Sequence, residues 1–251
     1  MIRYERQQQL LSYLHLHKSA TIKTLSGLLY ISEASVRRDV AALEEQGLVR
    51  RKYGGVVLAE YERSVVPVAL RDPANAARKE AIAGKAAALV KDGMTVILDA
   101  SSTARRLLPY LQNKKNLRII TNNARLFDGR ALPHNIHCTG GRYDGESGAF
   151  LGPGAEQFIR SVRADILFFS SQGMDEQGII SDASEEETSL RRAMLTAADK
   201  KYFLCDSSKL GQHRTFILCN KEELDGVICD GKLPWEESPA GIEIFAAMPQ
   251  K

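Results

Sequence analysis

The stretch that decides the fold of the first sixty residues is Ser32-Glu33-Ala34-Ser35-Val36-Arg37-Arg38-Asp39-Val40, which predicts a helix with two different faces. Val36 and Val40, continued by Leu43, recur at helical spacing and form one apolar stripe. Arg37 and Arg38 project from the opposite side. A helix of this kind can pack into a small domain on one side and face a polyanion on the other.

A second short helix precedes this stretch at the distance of a tight turn. Apolar residues recur at helical spacing from Ile22 to Leu29, and Tyr30-Ile31 separates them from Ser32, a favourable N-cap residue. Two short helices joined in this way form the helix-turn-helix pattern, in which the second helix enters the major groove of DNA. The sequence therefore predicts a DNA-binding helix that begins after Ser32.

A basic hairpin is predicted directly after the helix-turn-helix. Leu48-Val49-Arg50-Arg51 and Val56-Val57-Leu58 have the composition of short strands, and Lys52-Tyr53-Gly54-Gly55 supplies the glycines of a turn. Such a wing places basic side chains beside the DNA backbone, where charge gives affinity but little sequence information. Any one of these charges alone is equally consistent with a solvated face, whereas the whole assembly favours DNA binding. The candidate DNA-binding residues are Ser32, Ser35, Arg37, Arg38, Arg50, Arg51, Lys52 and Tyr53.

The distribution of charge supports a separate role for the N-terminal segment. Residues 1–60 contain 9 Lys and Arg against 6 Asp and Glu, whereas residues 61–251 contain 25 of each class. The whole excess of +3 therefore lies in the first sixty residues. Because this excess is small, the placement of the arginines matters more than the bulk charge.

The composition argues against membrane, secreted and metal-dependent classes. No apolar run approaches the roughly 18 residues of a membrane span, and Met1–Gln7 is too polar for a signal peptide, so a cytoplasmic protein is expected. The four cysteines lie far apart, which favours buried thiols in strands over a zinc site or a disulfide framework. His134 and His137 have no carboxylate or thiolate pattern around them, so no metal or other cofactor is expected.

A change of composition at residues 59–76 predicts a domain boundary, because Pro67 and Pro73 interrupt a stretch without periodicity. We expect a winged helix-turn-helix domain over residues 1–58, a linker over residues 59–76 and an effector domain over residues 77–251. In the last of these, strand-length apolar runs alternate with helical segments, which predicts an α/β fold with a mainly parallel, helix-covered sheet. The predicted strands are Met94–Leu98, Leu117–Ile120, Ile136–Cys138, Ile166–Phe169, Tyr202–Cys205 and Gly226–Cys229, and the helical segments are Thr103–Leu111, Gly154–Val162 and Glu185–Ala198.

Five of these strands are followed by small, hydrogen-bonding residues. Ligands of open α/β sheets bind beyond the carboxyl ends of the strands, so we expect these loops to form one polar pocket. One such loop would be explained by turn formation alone, but five in phase are not. The loops are Asp99-Ala100-Ser101-Ser102-Thr103, Thr121-Asn122-Asn123, Thr139-Gly140-Gly141, Ser170-Ser171-Gln172-Gly173 and Asp206-Ser207-Ser208-Lys209.

The predicted pocket has the chemistry of a site for a phosphorylated polyol or sugar. The run Ser101–Thr103 precedes a predicted helix, whose unpaired N–H groups favour an anion such as phosphate, and Lys209 adds a positive charge. Asp99 and the pair Asn122-Asn123 offer donors and acceptors suited to sugar hydroxyls. A carboxylate-bearing metabolite would satisfy the same groups.

A set of short motifs runs through the whole chain in a fixed order, and together they resemble the DeoR family of transcriptional regulators. The resemblance implies a winged helix-turn-helix followed by an effector domain similar to ribose-phosphate isomerases, sugar-phosphate deaminases and CoA transferases. It also implies a repressor of a carbohydrate-catabolic operon with a phosphorylated sugar as inducer. The motifs are Glu5-Arg6-Gln7, Ser35–Val40, Arg51–Gly55, Leu98–Thr103, Thr121–Asn123, Gly140-Gly141, Gly173–Asp175, Glu187 with Arg191, and Asp206–Gly211.

Some positions depart from the family pattern. Members commonly have a glycine and two threonines where this chain has Ala100–Thr103, and this loop and Phe169–Asp175 resemble L-fucose-operon regulators. Tyr53 stands where a histidine is frequent, and Ser189 and Arg191 stand where arginine and lysine are frequent. These differences leave the identity of the effector open.

Two functions from different classes remain open on these residues. The first is a DNA-binding regulator that senses a sugar phosphate and is not an enzyme. The second is a sugar-phosphate isomerase or deaminase with an attached DNA-binding domain, in which Asp99, Glu187 and Asp206 are the candidate acids or bases. We expect the regulator, with double-stranded operator DNA and a phosphorylated sugar as its partners. We also expect a homodimer or homotetramer, because one helix-turn-helix reads only a short half-site.

The pair Glu187 and Arg191 lies four residues apart on a predicted helix and is explained at least as well by a surface ion pair worth about 0.3–0.5 kcal/mol. The resemblance adds both residues to the pocket. The effector-binding candidates are then Asp99, Ser101, Ser102, Thr103, Asn122, Asn123, Gly140, Gly141, Glu187, Arg191 and Lys209.

Overall fold

A computed structural model describes residues 3–17, 19–46, 48–52, 55–58, 75–127, 135–233 and 243–246. The chain divides into two compact units, Met1–Ala74 and Asn75–Lys251. Most of the predicted linker, residues 59–74, lies outside the described residues, and a helix begins at Ala76. Among the residues that the structure describes, the first unit has one apolar core and the second has two.

The first unit is a winged helix-turn-helix, as predicted. Its three strands form one antiparallel sheet in the order β1-β3-β2, in which β2 and β3 are the wing. The sequence did not predict β1, and the tip of the wing at Tyr53-Gly54 lies outside the described residues. The elements are α1 (Arg3–His17), β1 (Ser19–Thr21), α2 (Ile22–Leu29), α3 (Glu33–Glu45), β2 (Val49–Lys52) and β3 (Gly55–Leu58).

Tyr30 and Ser32 set the turn between α2 and α3. Tyr30 ends α2 in the left-handed region at φ 51°, which reverses the chain within two residues. Ser32 then caps α3, because its hydroxyl accepts a hydrogen bond from the Ser35 backbone N–H at 3.3 Å. The predicted apolar stripe of α3 is buried, with Val36 and Val40 at 0% exposure.

The second unit is built on a seven-stranded sheet in which every neighbouring pair is parallel. The strand order is β15-β14-β12-β9-β4-β5-β6, so β9 is the central strand and β4 lies between β9 and β5. All six predicted strands are present, and β15 is a seventh that the sequence did not predict. The strands are β4 (Thr95–Leu98), β5 (Arg118–Thr121), β6 (Asn135–Cys138), β9 (Ala164–Phe169), β12 (Ala198–Cys205), β14 (Gly226–Cys229) and β15 (Glu243–Ala246).

Helices cover both faces of this sheet. Phe168 and Phe169 are neighbours in β9 and point into the two different cores, as alternation along a strand requires. One core contains apolar residues of α4 (Ala76–Ala87), of the 3-10 helix Ala104–Leu107 and of α5 (Leu108–Leu111). The other contains apolar residues of α6 (Pro153–Arg160) and α7 (Glu185–Ala197).

Two smaller β-structures in the second unit were not predicted. One is an antiparallel hairpin of β7 and β8, and the other is an antiparallel sheet in the order β10-β11-β13. Among the described helices, none is long and apolar enough to span a lipid bilayer. These strands are β7 (Arg142–Asp144), β8 (Ala149–Leu151), β10 (Gly173–Met174), β11 (Ile179–Asp182) and β13 (Phe216–Asn220), and three further 3-10 turns are Ala124–Phe127, Ser207–Lys209 and Lys221–Glu223.

Candidate DNA interface and effector site

The exposed face of α3 carries two of the predicted DNA contacts. Arg37 and Arg38 are both exposed. Arg37 donates a hydrogen bond to Glu33 at 3.0 Å, and Arg38 donates one to the Ser35 hydroxyl at 3.3 Å. Exposed contacts of this kind contribute about 1 kcal/mol or less, so both guanidinium groups can exchange them for contacts to DNA.

The wing is tied to α3 by a residue that the sequence assigned to DNA. The Arg51 backbone N–H and guanidinium donate to the two carboxylate oxygens of Glu44 at 2.9 and 2.6 Å. The backbone hydrogen bond is the main reason that the pKa of Glu44 is lowered. Arg50 is exposed on the same strand. The side chain of Lys52 and the whole of Tyr53 lie outside the described residues.

A buried carboxylate on α3 organises arginines that the sequence analysis did not assign. Asp39 is 1% exposed and accepts two hydrogen bonds from Arg6 of α1, at 2.8 and 3.1 Å. Its Oδ1 atom also lies 3.5 Å from Arg3 Nε. The hydrogen bond with Asp39 raises the pKa of Arg6. The sequence could have indicated this pairing, because an acidic residue on the buried stripe of Val36 and Val40 requires a cationic partner.

In the second unit, contacts link the loops that follow three neighbouring strands. Asp99 after β4 accepts hydrogen bonds from the backbone N–H groups of Ser101, at 3.1 Å, and of Ser170 after β9, at 3.3 Å. Lys209 after β12 donates to the Ser170 hydroxyl at 2.6 Å. The structure therefore brings these predicted loops together at the carboxyl edge of the sheet.

Arg191 of α7 is the centre of a buried ion cluster at this edge. Its guanidinium contacts Asp99 at 2.8 Å, Asp182 at 3.0 Å and Glu187 at 3.3 Å. The four side chains are at most 5% exposed, so the alternative of a surface ion pair between Glu187 and Arg191 is wrong. Burial opposes the charge, but the three carboxylates together raise the pKa of Arg191 above its ordinary value. Asp182 was missed because its strand, β11, was not predicted.

Lys209 lies beside a second buried carboxylate. Its Nζ atom is 3.7 Å from Asp206 Oδ2, and its side chain is 12% exposed. Burial alone would raise the pKa of Asp206, but the attraction of Lys209 and a hydrogen bond from Ser208 lower it. The other carboxylate oxygen accepts a hydrogen bond from Asn75 Nδ2 at 3.1 Å, so the lysine loop is joined to the start of α4.

Four buried polar atoms at this edge have no hydrogen-bond partner among the described residues. They follow β4, β5 and β9, which are neighbours in the sheet. An unsatisfied buried polar atom costs about 1–3 kcal/mol, which is the free energy that a ligand able to pair with it can recover. The atoms are Thr103 Oγ1, Asn122 Oδ1, Asn123 Nδ2 and Gln172 Nε2, and Gln172 was not among the predicted site residues.

The paired glycines after β6 have a structural explanation. Gly140 and Gly141 have φ angles of 63° and 109°, which other residues rarely adopt. A Cβ atom on Gly141 would lie 2.7 Å from the Leu151 carbonyl oxygen and 3.1 Å from Ala155 Cβ, whereas Gly140 faces open space. Backbone geometry therefore accounts for Gly141, and its contact with an effector stays a prediction.

The four cysteines lie in strands, as predicted, and their thiols are free. Cys205, Cys219 and Cys229 are buried and Cys138 is half-buried. Among the described residues, no group of three or more His, Cys, Asp and Glu side chains is placed to hold a metal ion. His134 lies outside the described residues.

The first unit is a winged helix-turn-helix with an exposed arginine face, and the second is an α/β unit with polar loops at the carboxyl edge of its sheet. Together these features define the class of DNA-binding regulators with a second, sensing unit. The chain belongs to the DeoR family of transcriptional regulators. Residues 6–62 match the DeoR-like helix-turn-helix domain, and residues 74–231 match the DeoR C terminal sensor domain. The predicted family is confirmed, and with it a regulator that binds DNA through its first unit.

Relatives match along almost the whole chain. The HTH-type transcriptional regulator GolR of Listeria innocua is 33% identical over 93% of this chain and 92% of its own. The transcriptional repressor AccR of Agrobacterium fabrum is 32% identical over 90% and 89% of the two chains. The L-fucose operon activator of Haemophilus influenzae is 30% identical over 91% and 92%. Both a repressor and an activator therefore occur among the relatives.

Likeness to solved structures is weaker. Ribose 5-phosphate isomerase A from Methanocaldococcus jannaschii covers 53% of this chain and 53% of its own, at 19% identity and a TM-score of 0.37.

Proposed function

We propose that this chain represses a carbohydrate-catabolic operon and is released from its operator by a phosphorylated sugar bound at the carboxyl edge of the seven-stranded sheet. In this proposal residues 1–58 bind DNA, residues 59–76 are a linker and residues 77–251 sense the sugar. The observation that carries the sensing site is the set of buried, unpartnered polar atoms of Thr103, Asn122, Asn123 and Gln172.

The two ends of the site suit the two parts of a sugar phosphate. Lys209 and the loop Ser101–Thr103 would hold the phosphate, because they combine a cation with hydroxyl groups and backbone N–H groups. Asn122 and Asn123 would pair with sugar hydroxyls through their unpartnered amide atoms. Arg191 already has three carboxylate partners, so it would position Asp99 and Glu187 beside the sugar.

The contacts of the three candidate catalytic carboxylates support a regulator over an isomerase or deaminase. Asp99 and Glu187 contact Arg191, and Asp206 lies beside Lys209 with a lowered pKa. A general acid that acts near neutral pH needs a raised pKa, whereas Lys209 and the hydrogen bond from Ser208 lower the pKa of Asp206. The names of the relatives support the same choice, because they are transcriptional regulators.

A selection experiment tests the proposal. Purified protein is used to select duplexes from a random-sequence DNA pool, and the selected duplex is then titrated in a gel shift. A panel of sugar phosphates and their unphosphorylated parents is tested for thermal stabilisation, for release of the duplex and for turnover. We expect at least one sugar phosphate to stabilise the protein and release the duplex without being consumed. Turnover without an effect on DNA would support the enzyme instead.

A further inference from the structure

A cationic cavity lies between α1 and α3 of the DNA-binding unit. Its volume is about 320 Å³, roughly ten times the space of one water molecule, so a phosphate group fits within it. Arg3 and Arg6 of α1 and Arg38 of α3 line it, together with Asp39 and Glu45. The lining therefore contains three cations and two anions, and Arg38 connects it to the predicted recognition helix.

The buried carboxylate fixes the arginines without using their whole charge. Asp39 binds Arg6 through both oxygens, and Arg3 lies 3.5 Å from the same carboxylate. The lining as a whole has three guanidinium groups against two carboxylates, so its net charge is positive. The Arg3 side chain is 61% exposed, whereas that of Arg6 is 20% exposed, so Arg3 is the one presented to solvent. Asp39 thus holds a partly accessible positive site beside α3.

We propose that this cavity binds a backbone phosphate of the DNA next to the groove that α3 enters, with Arg3 and Arg6 as its ligands and Asp39 as the residue that positions them. The inference rests on the DNA binding proposed above. It extends the interface from α3 and the wing to α1, which the predicted set of DNA-binding residues does not include. Because a phosphate contact carries no sequence information, it adds affinity for any duplex.

The salt dependence of binding tests the cavity directly. Each phosphate contact that is lost reduces the slope of log affinity against log salt by about 0.9. A labelled mixed-sequence duplex is titrated with wild type, Arg3→Ala and Arg3→Lys at several salt concentrations. We expect Arg3→Ala to bind more weakly with a slope smaller by about one unit, and Arg3→Lys to retain most of the slope.

A matched variant controls for the loss of one charge. Arg160 in the second unit is also 61% exposed and lies 3.3 Å from Glu156, so Arg160→Ala removes an arginine of the same exposure that also lies near a carboxylate. It should leave affinity and slope unchanged. A further comparison uses the selected operator, for which Arg38→Ala should lose the preference over the mixed duplex and Arg3→Ala should keep it.

The outcomes separate this inference from the proposed function. If wild type binds no duplex, DNA binding and the cavity are both wrong. If wild type binds and Arg3→Ala has the same affinity and slope, only the cavity is wrong. An equal loss in Arg160→Ala would also overturn the inference, because the effect would then be one of total charge. Unchanged thermal unfolding of Arg3→Ala confirms that a lost contact, and not a lost fold, explains weaker binding.

Discussion

Arg191 holds three acidic residues together at the edge of the sensor sheet. Arg191→Met removes the cation and leaves Asp99, Asp182 and Glu187 close to one another in a buried site. Removing one partner of a buried ion pair costs about 3–5 kcal/mol, so we expect a loss of that size in the free energy of unfolding measured in urea. Arg192→Met is the matched control, because Arg192 is the exposed neighbour of Arg191. Its substitution should lower the free energy of unfolding by at most about 1 kcal/mol. Equal losses would contradict the role of Arg191.

The pair of Lys209 and Asp206 gives a pH dependence. The pKa of Asp206 lies below its ordinary value of 3.8, so its contribution to stability is present above that pH and is lost as the pH falls through the folded pKa. Lys209→Met removes the main attraction. The difference in unfolding free energy between wild type and Lys209→Met should therefore be largest at neutral pH and shrink in acid. Urea titrations over the acid range would refute this if the difference stayed constant.

Several single residues of the site could not be predicted from local sequence. The serines, asparagines and Lys209 were found because they follow apolar strands directly. Asp182 was not, because it ends an unpredicted strand. Gln172 lies in a predicted pocket loop but was not assigned as a site residue, because a glutamine after a strand has no distinctive pattern. Asp39 was visible on an apolar stripe, but its partner Arg6 lies 33 residues earlier in the chain. Contacts of that kind are set by tertiary packing.

Among the elements, the strands with strong hydrophobic patterns were predicted, and the missed strands include the shortest ones described in the second unit. The six strands β4, β5, β6, β9, β12 and β14 are apolar runs, and in the structure they lie in the main sheet. By contrast, β7 and β8 have three residues each and β10 has two, which is too short for a period-2 pattern to be distinguished. These strands pair locally beside the main sheet, so composition alone did not indicate them.

The steric explanation for Gly141, in the turn after β6, can be tested by substitution. Gly141→Ala should destabilise the second unit, because the new Cβ would overlap the Leu151 carbonyl where β8 and α6 approach the turn. Gly140→Ala shares the positive φ but faces open space, so it should cost about 1–2 kcal/mol from backbone strain alone. Thermal unfolding of both variants measures the difference. A Gly141 variant no less stable than the Gly140 variant would contradict the steric explanation.

At the level of the whole molecule, we expect the DNA-binding unit to act together with a partner copy. One recognition helix reads only a short half-site, so we expect at least a dimer whose two helices are spaced by a helical turn of DNA or a multiple of it. Light scattering at micromolar concentration should show a dimer or a tetramer, and the selected operator should contain an inverted repeat. A monomer with and without DNA would contradict this expectation.

We propose that a sugar phosphate at the sheet edge and operator DNA influence each other's binding. By linkage, whatever factor the ligand applies to operator affinity, the operator must apply to ligand affinity, and a coupling of about 1–3 kcal/mol is typical. Such coupling needs two states of the protein with different affinities for the ligand.

The most direct measurement is calorimetric titration of the active sugar phosphate into wild type and Lys209→Ala, each with and without operator. We predict that operator weakens sugar-phosphate binding to wild type by the same factor that the sugar phosphate weakens operator binding. Lys209→Ala should lose most of its affinity for the sugar phosphate and, without ligand, bind operator as wild type does. Equal sugar-phosphate affinity in the two proteins, or affinity that operator leaves unchanged, would contradict the account.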